Sequence, residues 1–185
     1  GWQVEAECIV QDVVPDDSTH GLYNVGKADY LAPSTVTIGS DTVRLMGTVR
    51  YPLDTTGKMP APGKHPLVLF LHGNHGTVRI NTPSGPQDVC GGTGIEAPSW
   101  LGYDYALDAL ASRGYIAVSI NANDLNCKAD RIPERATLIF IHIELWNWLT
   151  TDPSEPLFNG FFHGVVDIER IGVVGHSRGG EAAVA

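Results

Sequence analysis

The stretch Ile171-Gly172-Val173-Val174-Gly175-His176-Ser177-Arg178-Gly179-Gly180 decides the fold. Its first four residues are apolar and predict a strand, and the alanine-rich residues after Gly180 predict the start of a helix. Between them, residues 175–179 have the pattern Gly-x-Ser-x-Gly, in which a sharp strand-to-helix turn lifts a serine hydroxyl above the edge of a sheet. We call residues 175–179 the elbow. The pattern predicts that Ser177 is presented as a nucleophile.

Two further apolar runs precede the elbow, at residues 67–71 and 115–120. Strands that are apolar on both faces suit a parallel sheet covered by helices. Helices are predicted at residues 100–113 and 133–149, so that strands and helices alternate along the chain. Because such alternation builds parallel sheets through right-handed crossovers, the sequence predicts an α/β domain. Functional residues are then expected just past the carboxyl ends of the strands.

For the amino-terminal third of the chain, the sequence predicts less regular structure. Residues 3–14 alternate loosely, which favours an edge strand, whereas prolines, glycines and aspartates make residues 15–33 irregular. A hairpin is predicted next, from β-branched residues on either side of Gly39-Ser40-Asp41. We therefore divide the chain into an amino-terminal edge segment, residues 1–33, and the amino-terminal portion of an α/β domain, residues 34–185. Proline and glycine mark two long loops within it, residues 52–66 and 74–99.

Composition limits the classes of function. The 185 residues suffice for one domain with a sizeable core. A formal net charge of −9 argues against nucleic-acid binding, which needs clustered Lys and Arg. No apolar run reaches the roughly 18 residues that a transmembrane helix requires, so no transmembrane segment is predicted.

The three cysteines are Cys8, Cys90 and Cys127, so at least one has no partner within this sequence. Cys90 lies in the loop after residues 67–71, and Cys127 lies just after residues 115–120. Sequential parallel strands are usually neighbours, so these two loops should be close, and we predict a Cys90–Cys127 disulfide. Such a bond favours a secreted or periplasmic protein, whereas three free thiols would favour the cytoplasm.

Two main-chain N–H groups are candidates for an oxyanion hole. One belongs to Arg178, directly after the nucleophile, and the other to Asn74, in the His72-Gly73-Asn74 turn after residues 67–71. The Arg178 side chain has two open interpretations. It pairs with Glu181 one helical turn later, or it meets an acidic or polar group of a substrate.

The turn at His72-Gly73 together with the string Gly175-His176-Ser177-Arg178-Gly179-Gly180-Glu181-Ala182 resembles the α/β-hydrolase superfamily. It is most similar to exported bacterial esterase-like members related to the dienelactone-hydrolase and cutinase-like groups. The resemblance covers about residues 36–185, the amino-terminal part of that fold. It implies a mostly parallel sheet with helices on both faces, truncated after the elbow. It also implies that Ser177 cleaves carboxylic esters through an acyl-enzyme, with no metal or organic cofactor.

The family order is serine, then acid, then histidine, so both partners of Ser177 are expected from polypeptide beyond residue 185. That polypeptide is the rest of a longer chain or a separate carboxy-terminal piece, and residues 1–185 alone should be inactive. His75 is an alternative base. The substrate is a small-molecule, lipid or polymer ester. Alternatives are acyl transfer or peptide cleavage by the same nucleophile, and a binding protein that has lost catalysis.

Overall fold

The computed structural model describes residues 21–185. Its main sheet has five strands in the order β1-β2-β7-β3-β8. Their bounds are Val25–Ile38 (β1), Asp41–Pro52 (β2), His65–Leu71 (β3), Ile116–Ile120 (β7) and Val166–Gly175 (β8). A second sheet has the order β5-β4-β6, with bounds Val78–Thr82 (β4), Gly85–Val89 (β5) and Ile95–Glu96 (β6). We call this second sheet the small sheet.

Three α-helices complete the described part of the chain: Asp104–Ala111 (α1), Ile132–Thr151 (α2) and Arg178–Ala183 (α3). Short 3-10 helices cover Ser99–Tyr103 and Asn123–Leu125. The predicted long helices therefore exist, but the first one begins as a 3-10 turn and becomes α-helical only at Asp104. Pro133 lies in the first turn of α2, as predicted, where the missing main-chain N–H would have no partner within the helix.

The main sheet is mixed. β7 and β8 both run parallel to β3 and flank it, whereas β1 with β2 and β2 with β7 are antiparallel. The predicted fold class, an α/β-hydrolase fold built on a mostly parallel sheet, is therefore wrong. Half of the strand pairings in the main sheet are antiparallel, the small sheet is entirely antiparallel, and the domain is richer in strands than a helix-flanked parallel sheet.

Two loops predicted from composition contain strands. Residues 74–99 were predicted as one long loop, yet they form the small sheet, in which β4 pairs with both β5 and β6. β1 begins at Val25, inside the segment predicted to be irregular, because residues 25–31 pair with β2 as residues 35–38 do. Pro33 lies in a break of that ladder between Leu31 and Thr35, where a missing main-chain donor costs little. The hairpin turn at Gly39-Ser40 is confirmed.

β3 places alternate side chains in two cores. Leu67, Leu69 and Leu71 are fully buried in the larger core, to which α2 contributes Leu138 and Trp146. Val68 and Phe70 point to the other face, where α1 buries Leu107. Burial on both faces explains why β3 is apolar throughout.

The register between β3 and β8 is interrupted once. Pro66 pairs with Asp167, but the next β3 residue, Leu67, pairs with Ile171. Residues 168–170 thus bulge from the ladder, and pairing then continues to Leu71 and Gly175. Both strands end together, directly before the His72 turn and the elbow.

The predicted edge strand at residues 3–14 and the position of Cys8 lie outside the described residues. Among the helices described between residues 21 and 185, none is long and apolar enough to cross a membrane.

Candidate active site

The elbow holds Ser177 in a backbone conformation that few residues adopt. Its φ is 54° and its ψ is −127°, between the end of β8 at Gly175 and the start of α3 at Arg178. A non-glycine residue at positive φ costs about 1–3 kcal/mol, and such strain is concentrated at functional sites. The side chain of Ser177 is exposed at the carboxyl edge of the main sheet. The strand-turn-helix predicted from the sequence is therefore present.

The two outer glycines of the elbow are required by close main-chain approach. A Cβ added to Gly175 would lie 2.2 Å from the carbonyl carbon of Gly179. A Cβ added to Gly179 would lie 2.2 Å from the carbonyl oxygen of Leu71, at the end of β3. The spacing of glycines around Ser177 thus reflects how tightly α3 turns back onto β8 and β3.

The turn after β3 touches the elbow. A Cβ added to Gly73 would lie 3.0 Å from the Cβ of Ser177, and the His176 N–H donates to the Leu71 carbonyl at 3.2 Å. The segments that carry Asn74 and Arg178 are therefore next to each other and next to Ser177. That their N–H groups bind an oxyanion remains a prediction.

The side chains of the two predicted donor residues both reach the loop after β7. Asn74 Oδ1 accepts from the Cys127 N–H at 3.0 Å, and Arg178 Nη1 donates to the Lys128 carbonyl at 3.1 Å. Within residues 21–185, Arg178 forms no ion pair with Glu181, so the first interpretation of its side chain is wrong. Its guanidinium donates instead to a main-chain carbonyl.

His72 is a structural bridge between β3 and β7. Its Nε2 accepts from the Ala122 N–H at 2.9 Å, so the proton is on Nδ1, which donates to the Gly73 carbonyl at 2.9 Å. Burial lowers the pKa of His72 to about 4, so the imidazole is neutral at physiological pH. Since both nitrogens are occupied, His72 cannot accept a proton from Ser177 without breaking the bridge.

A cleft of about 380 Å³ runs beside the elbow. Its walls include His75, His176, Tyr103 and Asp88. The rings of His75 and His176 are parallel within 6°, with centroids 6.3 Å apart. Burial and the nearby His176 lower the pKa of His75. No hydrogen bond joins Ser177 to a histidine of the described chain, so His75 as base stays a prediction.

Arg135 is a residue of the site that sequence reasoning missed. It lies on α2, is fully buried, and donates from Nη1 to the His72 carbonyl at 3.1 Å and from Nη2 to Asn126 Oδ1. No carboxylate of residues 21–185 pairs with it, and burial together with nearby Arg178 lowers its pKa to about 10. The signal was present, since an arginine three residues before Leu138 falls on the apolar stripe of the helix.

The predicted disulfide is confirmed. Cys90 and Cys127 are bonded with a Cα–Cα distance of 5.5 Å, which joins the chain just after β5 to the loop after β7. The Cys127 Sγ also lies 3.5 Å from the His75 carbonyl oxygen. The bond therefore fixes the small sheet against the mouth of the cleft.

A polar cluster supports the same loop from the other side. Arg44 of β2 is bidentate to both Glu96 and Asp124, and Glu96 also accepts from Asn121 and Asn123. Glu96 comes from β6, so the small sheet is tied to the main sheet by charge-assisted hydrogen bonds. None of these long-range pairs is visible in the sequence.

In the part of the chain described, no three His, Cys, Asp or Glu side chains are arranged to hold a metal ion. Comparison of the sequence with protein-family models and with curated proteins finds no match.

Proposed function

We propose that this chain carries the nucleophile of a serine hydrolase that cleaves carboxylic esters through an acyl-enzyme. One observation carries the proposal: the exposed Ser177 is held at φ 54° in a tight strand-to-helix turn, beside a second turn at Gly73. In a nucleophilic serine, a strained backbone of this kind exposes the hydroxyl so that it can reach the carbonyl of a substrate.

In the proposed reaction the Ser177 hydroxyl oxygen attacks the ester carbonyl. The N–H groups of Asn74 and Arg178 donate to the oxygen that becomes negatively charged. Each such donor is typically worth about 10²–10³ in turnover. The bond from the carbonyl carbon to the alcohol oxygen then breaks, and the alcohol leaves with the proton that the base took from Ser177, so that an acyl-enzyme forms. Water attacks the acyl-enzyme, the acid is released, and the Ser177 oxygen regains a proton from the base.

The proposed base is a histidine, oriented by an acid, from polypeptide beyond residue 185. The hydrogen bonds of two buried histidines of the described chain support this choice. His72 has both nitrogens occupied, and His142 lies inside α2, where Tyr30 hydrogen-bonds to its Nδ1 at 2.9 Å. The proposed substrate is a small-molecule, lipid or polymer ester, which would reach Ser177 through the cleft of about 380 Å³ beside the elbow. The disulfide supports export to an oxidising compartment, secreted or periplasmic.

Fluorophosphonate labelling followed by mass spectrometry tests the proposal on the native protein, including any polypeptide that accompanies residues 1–185. We expect one label, on Ser177, and none in Ser177→Ala. The matched control is Ser154→Ala, which removes an exposed serine in the loop after α2 and should label normally. An unlabelled wild type would indicate a binding protein instead. Product analysis with alcohol and amine acceptors separates hydrolysis from acyl transfer.

A further inference from the structure

We infer that the two-residue segment Cys127-Lys128, anchored by the disulfide, sets the spacing between the two halves of the oxyanion hole. The inference rests on the proposed function, because the hole is part of that proposal. It assigns positioning roles to Cys127 and Lys128, which lie outside both predicted donor turns.

The contacts of the segment place it between the two turns. The Cys127 N–H donates to the side-chain oxygen of Asn74 at 3.0 Å. The carbonyl of the following residue, Lys128, accepts from Arg178 Nη1 at 3.1 Å. Main-chain groups of two consecutive residues thus contact the turn after β3 and the turn after β8. A shift of this segment would change the position of one donor relative to the other.

The segment is itself held from two directions. On one side Cys127 is bonded to Cys90, directly after β5 of the small sheet. On the other side Lys128 Nζ donates to Asp41 Oδ1 at 2.8 Å, and Asp41 also accepts from Arg131 at 2.7 Å. Cys127 has a φ of 59°, which places its backbone in the left-handed region that a non-glycine residue rarely adopts. The disulfide helps to maintain this conformation.

Reduction removes one of the two anchors. A dithiol gives up two electrons and two protons and becomes a cyclic disulfide, while Cys90 and Cys127 each become a thiol. The Asp41–Lys128 anchor remains. The common support of the turns at Asn74 and Arg178 is then held from one direction only, whereas β3 and β7 keep their own ladders.

Hydrogen exchange read by mass spectrometry measures this directly and does not depend on catalysis. After treatment with dithiothreitol, we expect amides in residues 73–76 and 178–180 to exchange about tenfold faster, the loss of roughly one hydrogen bond. Amides of β3 and β7 should be unchanged. Unchanged exchange in both turns would overturn the inference. An equal rise in β3 and β7 would also overturn it, because the disulfide would then act on the whole domain.

Two substitutions at Asn74 provide a test with the disulfide intact. Asn74→Ala removes the acceptor for the Cys127 N–H and should speed exchange in residues 73–76 only. Asn74→Asp keeps an acceptor oxygen and should restore slow exchange. If both variants behave alike, the bond between Cys127 and Asn74 does not hold the turn, and the inference fails.

Kinetics connect the positioning role to the reaction. The double variant Cys90→Ala/Cys127→Ala should lose about tenfold in kcat for a soluble ester with KM unchanged, because an oxyanion hole acts in the transition state. Cys8→Ala, which leaves this disulfide intact, is the matched control. A change in KM alone would refute a role in the oxyanion hole. An absence of Ser177 labelling would instead refute the proposed function, whatever the exchange rates show.

Discussion

Substitution of Gly179 by alanine tests whether main-chain crowding builds the elbow. The added Cβ would lie 2.2 Å from the Leu71 carbonyl oxygen and 2.9 Å from that of His72. Real Cβ atoms essentially never lie within 3.0 Å of a non-bonded heavy atom, so α3 and the end of β3 would have to separate by about 0.8 Å. Both oxygens belong to the main chain, so no rotamer change can relieve the clash.

The magnitude follows from two opposing effects. Overpacking of this kind costs about 1–3 kcal/mol, and the upper end applies because Leu71 is fully buried in a central strand. Alanine in place of glycine within a helix stabilises the folded state by about 1 kcal/mol, which opposes the overpacking. We therefore expect Gly179→Ala to lower the free energy of unfolding by about 2 kcal/mol. Separation of the two turns should also slow labelling of Ser177.

Urea unfolding followed by tryptophan fluorescence measures the stability, since Trp146 is fully buried. Gly172→Ala is the matched control on β8. Its Cβ would meet only Val68 methyl groups, at 3.6 Å and 3.7 Å, which is ordinary contact. The reasoning would be refuted if Gly179→Ala were as stable and as reactive as Gly172→Ala.

Three further outcomes are expected. The unfolding free energy should fall as the pH is lowered from 6.5 to 4, because unfolded chains protonate His72 and the folded chain does not. His72 should account for a loss of about 3 kcal/mol in the free energy of unfolding over this pH range. A His72→Gln variant whose unfolding free energy falls with pH as steeply as that of the wild type would contradict this. Asp41→Asn should lower the free energy of unfolding by about 2 kcal/mol, because the buried side chain no longer carries the negative charge that pairs with Lys128. A urea midpoint equal to that of the wild type would disprove this. Leu69→Ala should cost about 2–5 kcal/mol, against less than about 0.5 kcal/mol for the exposed Leu31→Ala, as measured by urea unfolding.

Local patterns predicted the parts of the fold whose causes are local. β3 and β7 are continuous apolar runs because both of their faces are covered, and the elbow is specified by glycines that main-chain crowding requires. The disulfide was predictable because β3 and β7 are parallel neighbours. These inferences needed only periodicity, turn chemistry and one topological rule.

The remaining structure depends on contacts between distant residues. The antiparallel pairing of β2 with β7 cannot be inferred from periodicity, because a strand buried on both faces has the same pattern in either direction. The small sheet forms from a polar, glycine-rich stretch, held by Glu96 and by the disulfide rather than by an apolar core. Within the site, the side-chain contacts of Asn74 and Arg178 with the loop after β7 have no local signal.

The bulge at residues 168–170 makes the beginning of β8 independent of its end. Three residues are accommodated there without a partner on β3, yet Leu71 and Gly175 still finish in register. Chain length can therefore vary at this point while the nucleophile keeps its place. Homologous chains should accumulate insertions and deletions around residues 168–170 rather than between Ile171 and Ser177. The same point offers a site for a short reporter tag that leaves the elbow undisturbed.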